Sequence, residues 1–311
     1  MIKKTLLSLI FVVSFAILSF FSVSVNAYAS PYSVNECFDH ISAQAFKTAR
    51  TWGIRAVNNH PHSFYAHLCL GEADKYLGLY KPAVYDFKQA IPFATNKNRL
   101  LLVYNWIGAT FYLVGDEKDA LMYDFRSLKL ARELNNRSIE SDDINNIAGI
   151  YTNEGKFKKA LHYNKKSLAL RRTKKGKATS YNNIGMDYSD LNNYTEAIKY
   201  ATKALNLDES IGNYYKTASD YLNLGDTFIY VKNYFKAKRY ILKGLAMEKK
   251  ISNKEWLGAG YRYLGRLYRN KGENHKALSY YTKAYNMYNI SGDKSHASYC
   301  LFMINKIKKT G

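Results

Sequence analysis

The sequence predicts an all-α chain built as a linear array of helical pairs. Three observations predict it: small residues recur every 37 to 40 positions, a second small column keeps a constant distance from the first, and apolar residues stand at helical spacing around both.

The first column is Gly71, Gly108, Ala148, Gly185, Gly225 and Gly265, with steps of 37, 40, 37, 40 and 40. The second is Ala83, Ala120, Ala160, Ala197, Ala237 and Ala277, twelve residues after the first through every irregular step. Chance does not preserve that register. One residue before each small residue of the first column stands an aliphatic (Leu70, Ile107, Ile147, Ile184, Leu224, Leu264), and three after it an aromatic (Phe111, Tyr151, Tyr188, Phe228, Tyr268), Asp74 being the exception. A spacing of four puts aliphatic and aromatic on one helical face, so each unit opens with an amphipathic helix. Between the columns sits a breaker, Gly78, Gly115, Gly155, Asn192 or Gly272, which predicts a tight turn. Seven residues beyond each alanine comes another small residue, Ala90, Ser127, Ser167, Ala204, Gly244 or Ala284, a stripe that lets the second helix approach its neighbours.

This unit resembles the tetratricopeptide repeat, whose signature joins a Leu-Gly pair, a following Tyr and an Ala-x3-Phe stretch. The clearest copies are YNNIGMDYSDLNNYTEAIKYATKAL from Tyr181 and YLNLGDTFIYVKNYFKAKRYILKGL from Tyr221. The 40-residue spacing is similar to the longer variant of kinesin light chains and Rap-type bacterial regulators. The short variant's closing Pro is absent, and Pro92 is expected to cut the first unit's second helix early. The resemblance implies a right-handed superhelical solenoid of about six repeats over residues 64–290. Ala49, Gly53 and Ala56 repeat the second-helix spacing, so residues 30–63 hold a helical region with room for a degenerate seventh unit. Residues 291–311 contain one more amphipathic stretch, His296 to Lys309, expected to cap the array.

The chain begins with Lys3 and Lys4 ahead of a nearly uninterrupted apolar run from Leu6 to Val25. That pattern reads as a signal peptide over residues 1–29, with cleavage expected after Ala29 and Val25-Asn26-Ala27 as the competing site. An uncleaved run would be long enough to anchor the chain in a membrane. Either outcome places the rest outside the cytoplasm, in the periplasm or secreted. Loss of Lys3 and Lys4, with no acidic residue, lowers the formal charge from +21 to +19. Such a charge attracts acidic protein, anionic envelope surfaces or nucleic acid, and export ranks nucleic acid low.

Catalytic chemistry has no visible carrier: there is no glycine-rich phosphate loop, nucleophile elbow, HExxH helix or CxxC pair, and the carboxylates are spread singly. No cofactor is expected. His60, His62, His67, Cys69 and Glu72 cluster within thirteen residues, but the histidines lack the spacing that aims two at one ion, and a loop is the better reading.

Two surfaces are candidate binding sites. The resemblance implies that first helices line a concave groove, which would carry Asn105, Trp106, Asn145, Asn146, Asn182, Asn183 and Asn223, then Tyr112, Met186, Tyr230 and Tyr263 with an Arg262, Arg266, Arg269 stripe. A ladder of amides could grip the backbone of an extended peptide; the alternative is that these asparagines bond between adjacent helices. The other surface is basic: Lys156 to Lys177 holds ten basic and no acidic residues, including Lys165, Lys166, Arg171, Arg172, Lys174 and Lys175. It is either a solvated outer face or a dock for an anionic surface. Of the three cysteines, Cys37 and Cys69 lie at nearly equivalent heights on first helices of adjacent units and are expected to pair, leaving Cys300 buried.

The function classes left are a protein- or peptide-binding scaffold outside the cytoplasm, a sensor-regulator that answers to a short peptide, and a polyanion- or membrane-surface-binding protein.

Overall fold

In the computed structural model, residues 32–310 are described; the expected signal peptide and its cleavage site lie outside them. Fifteen α-helices and no strand occur among the described residues. Fourteen fall into seven pairs: α1 (Tyr32–Ser42) with α2 (Phe46–Asn59), α3 (Phe64–Tyr76) with α4 (Tyr80–Ala90), α5 (Lys97–Val114) with α6 (Glu117–Glu133), α7 (Arg137–Asn153) with α8 (Phe157–Leu170), α9 (Lys174–Asp190) with α10 (Tyr194–Ser210), α11 (Tyr214–Tyr230) with α12 (Tyr234–Ile251), and α13 (Lys254–Asn270) with α14 (Asn274–Ser291). A last helix, α15 (Lys294–Thr310), packs on α14. The helices group into two compact units divided between Arg171 and Arg172, and within each unit every helix packs on the next, the arrangement of a helical solenoid.

Local signals start and stop these helices. Asn96, Asp116, Asn136, Asn193 and Asn233 each accept a hydrogen bond from the backbone N–H three residues on, satisfying a donor the helix itself leaves free. The breakers between paired helices adopt the left-handed conformation that ends a helix, Gly115 at φ 82° and Asn192 at φ 58°. Pro92 has the expected effect: α4 stops at Ala90 and one 3₁₀ turn follows.

The glycine column is explained by close approach within a pair. A Cβ added at Gly225 would sit 2.5 Å from Ile241 Cγ1, and one at Gly71 would sit 2.7 Å from the Phe87 ring. The aromatics three residues after that column meet a matching set three residues after the alanines. Phe111 stacks on Tyr123, Tyr188 on Tyr200 and Tyr268 on Tyr280 at centroid distances of 5.8, 5.5 and 5.4 Å. In the α3–α4 pair both places hold carboxylates instead. Asp74 accepts from Arg50 Nε at 2.5 Å, and Asp86 pairs with His67 Nδ1 at 3.1 Å. His67 Nε2 faces the Pro61 carbonyl at 2.9 Å, so this imidazole has acceptors on both nitrogens and its pKa is raised, chiefly by the Asp86 bond.

Candidate peptide-binding surface

Within each unit the first helices of successive pairs also touch one another, α1 with α3, α5 with α7 and α11 with α13. The second helices have no comparable mutual packing among the described residues. First helices therefore make the inner layer of each unit, and their outward-turned positions are the candidate surface.

In the first unit that layer corrects two expectations. Asn105 is buried, and its Nδ2 donates to Asp143 Oδ1 at 2.8 Å across the α5–α7 seam. Trp106 is 7 % exposed and belongs to the apolar core, because its indole fills the space beside Phe87. Its face carries Lys75 Nζ at 3.6 Å from the ring centroid. Burial lowers the Lys75 pKa and raises that of its neighbour Glu72, each opposed by the other's charge. Asn145 and Asn146 are half-buried. The Asn146 amide opposes the rise that burial and Asp143 impose on Asp124, whose carboxyl is held well above the usual range. Asp143 itself is pushed up to about 8, chiefly by burial.

In the second unit Asn182 Nδ2 donates to Asp220 Oδ1 at 3.1 Å, the same seam bond as Asn105 makes. Asn105 and Asn182 are thus structural ties between helices rather than peptide ligands, because an amide already spent on a buried carboxyl has little left to offer. Asn183 and Asn223 are half-buried, and Tyr263, expected on the surface, is buried at 8 % exposure. The three arginines are half-buried and each is held. Arg262 Nε donates to Tyr288 Oη at 3.3 Å, Arg266 forms an ion pair with Asp226 and donates to Tyr230 Oη at 2.6 Å, and Arg269 Nη1 approaches Met303 Sδ at 3.6 Å. Tyr230, 47 % exposed, also stacks on Tyr194 at 5.0 Å and lies under the Arg266 guanidinium at 4.6 Å. The result is an aromatic, cationic surface that water reaches.

The charge run divides. Lys165 and Lys166 are exposed on α8, whereas Arg171, expected among the docking residues, is turned inward to Asp142 Oδ1 at 2.6 Å and is 14 % exposed. Arg172, Lys174 and Lys175 are exposed in the second unit. Cys37 Sγ and Cys69 Sγ are joined at 2.07 Å, tying α1 to α3, and Cys300 is a buried thiol. No group of three or more His, Cys, Asp or Glu comes together to hold a metal among the described residues.

Glu72, Lys75, Asp226 and Tyr230 were not singled out as a set from the sequence. The signal was present: Glu72 and Asp226 stand one residue after the glycine column, where Arg266 also stands, and Lys75 and Arg269 stand four after it.

Paired helices closed by a small-residue column define an α-helical repeat protein. The tetratricopeptide repeat is the family matched, over residues 139–210, 176–250 and 264–295. A curated relative, outer dynein arm-docking complex subunit 4 of Danio rerio, is 29 % identical over 119 residues; the match spans 38 % of this chain and 24 % of that protein. Among solved structures, the apo form of RapI superposes with a TM-score of 0.67 at 16 % identity, covering 89 % of this chain and 85 % of its own. A Rap protein complexed with competence and sporulation factor gives 0.62 at 16 % identity over 90 % and 85 %. The STAND protein with a tetratricopeptide repeat sensor from Pyrococcus horikoshii gives 0.63 at 16 % over 88 % of this chain and 45 % of that one. These likenesses establish the fold.

Proposed function

We propose that the protein is an exported scaffold that holds another protein or an extended peptide against the inner layer of its first helices. The observation that carries this reading is the water-facing surface of Tyr194, Tyr230 and Arg266, where rings and a guanidinium are already fixed against one another. Rigid aromatic and arginine groups are the side chains that most often carry binding energy. Export is supported by the Cys37–Cys69 bond, since disulfides persist in oxidising compartments, and by the basic start and apolar run of the sequence. A peptide-responsive regulator is the second reading, favoured by the likeness to a Rap protein solved with a bound factor.

Capture of envelope proteins on the full-length chain tests the scaffold. Binding should fall when Tyr230 is replaced by Ala. Capture that survives this change and is abolished by neutralising Lys165 and Lys166 moves the site to the basic outer face and sinks the inner-layer reading. N-terminal sequencing of native protein checks export: Ser30 is expected, and an intact Met1 in the membrane fraction indicates an anchor. A helical rearrangement on peptide addition would select the regulator.

A further inference from the structure

The second unit gathers more positive charge on its inner layer than it neutralises there. Arg262, Arg266 and Arg269 lie on α13, and the carboxylate bonded to this set among the described residues is Asp226, on Arg266. The Arg269 contact, Met303 Sδ, is a weak acceptor. Inside the same cluster the Tyr281 side chain is fully buried, and its hydroxyl has no hydrogen-bond partner. That hydroxyl lies within electrostatic reach of all three arginines and of Tyr299. The Arg266 Nε–H is likewise buried and unbonded. Two buried donors left unsatisfied are costly unless something accepts from them. The edge of the cluster is open, since Tyr230 and Tyr299 are 47 % and 41 % exposed.

We infer that the Arg262, Arg266, Arg269 and Tyr281 cluster is a subsite for a carboxylate carried by the bound peptide, accepting from Arg266 Nε–H, Tyr281 Oη–H and the Arg269 guanidinium. The inference rests on the peptide-holding reading and names the chemistry of what is held. A planar carboxylate presents two acceptor oxygens to an arginine fork, and the Tyr230 and Tyr299 rings at the rim suit a flat group. Burial keeps the Tyr281 phenol protonated far above neutral pH, so it remains a donor.

Thermal unfolding of the full-length chain decides it, with N-acetylglycine as a chain-terminal carboxylate, N-acetylglutamic acid α-amide as a side-chain carboxylate, and phosphate and chloride at matched ionic strength. At about five times its dissociation constant, a carboxylate should raise the midpoint by about 2–4 °C over chloride. Whichever of the two gives the larger rise names the source of the carboxylate. Tyr281→Phe, which keeps the ring, should remove at least half of that rise, and Arg269→Gln should do the same. Carboxylates no better than chloride overturn the inference. So does a rise with phosphate alone, or a full rise retained in Tyr281→Phe; if Arg269→Gln fails to fold, Tyr281→Phe decides by itself. A partner captured equally well by wild type and Tyr281→Phe leaves the scaffold standing and removes only this subsite.

Discussion

The seam between α5 and α7 in the first unit and the seam between α11 and α13 in the second are built at the same repeat positions from opposite chemistry. Three residues before the small column on one helix, and five before it on the next, stand Asn105 and Asp143 in one seam and Leu222 and Gly260 in the other. The first pair is a buried hydrogen bond of 2.8 Å. The second is apolar contact so close that a Cβ on Gly260 would meet Leu222 Cδ2 at 3.1 Å. The repeat dictates how near two first helices lie, and not what bridges them. A polar bridge is directional and resists sliding, yet it buries a carboxyl; an apolar bridge has neither property. In the apolar seam Arg262 stands at the repeat position that Asn105 occupies in the other.

The largest expected difference between the units is covalent. Reducing the Cys37–Cys69 bond, which closes a separation of 32 residues, should destabilise the first unit by about 3–4 kcal/mol on the chain-entropy scale. The second unit should be unaffected. Hydrogen exchange with and without reductant reads both at once, and unchanged protection in α1 to α3 would contradict the expectation.

The apolar seam should not tolerate the polar solution in half. Leu222→Asn is expected to cost about 2–4 kcal/mol, from lost packing and a buried amide without a partner. Urea unfolding measures it; a cost below about 0.5 kcal/mol would mean the seams are interchangeable after all.

Asn105→Ala attacks the polar seam and should cost about 1–3 kcal/mol, because Asp143 loses its donor. Adding Asp143→Leu should recover part of that loss, the test being whether the double variant unfolds at higher urea than the single one.

The smallest effect is the dependence on pH. Asp143 is raised from the ordinary carboxylate value to about 8, so its stabilising protonated form is fully present below the unfolded value and is lost as pH rises through about 8. Stability should therefore fall by about 1.4 kcal/mol between pH 7 and pH 9 from this group. The fall should be absent in Asp143→Asn. An Asp143→Asn variant that loses as much stability as the wild type between pH 7 and pH 9 would refute the assignment.

Much of this was readable beforehand, for reasons visible at single residues. Gly71 and Gly225 mark helix contacts because a Cβ there runs into the partner helix, and Asn192 and Gly115 mark turns because few residues accept positive φ. Asp74 stood out as the break in an aromatic column, though its partner Arg50 and the matching Asp86 did not. The candidate surface was less readable. Asn105, Trp106, Asn182 and Tyr263 share their spacing with surface positions, and spacing places a residue on a helix face without saying what the next helix sets against it.

The order of helices, their turns and the closeness of each pair were determined by the sequence itself, since small residues, caps and apolar periodicity act over a few residues and repeat. Which polar groups stay in water was decided by the tertiary structure. Asn182 reaches a carboxyl 38 residues away, Arg171 turns to Asp142 out of a run of lysines, and Tyr281 brings an unpaired hydroxyl among three arginines. Each depends on distances between helices remote in the chain, and burial there turns one hydrogen bond into the difference between a structural tie and a site.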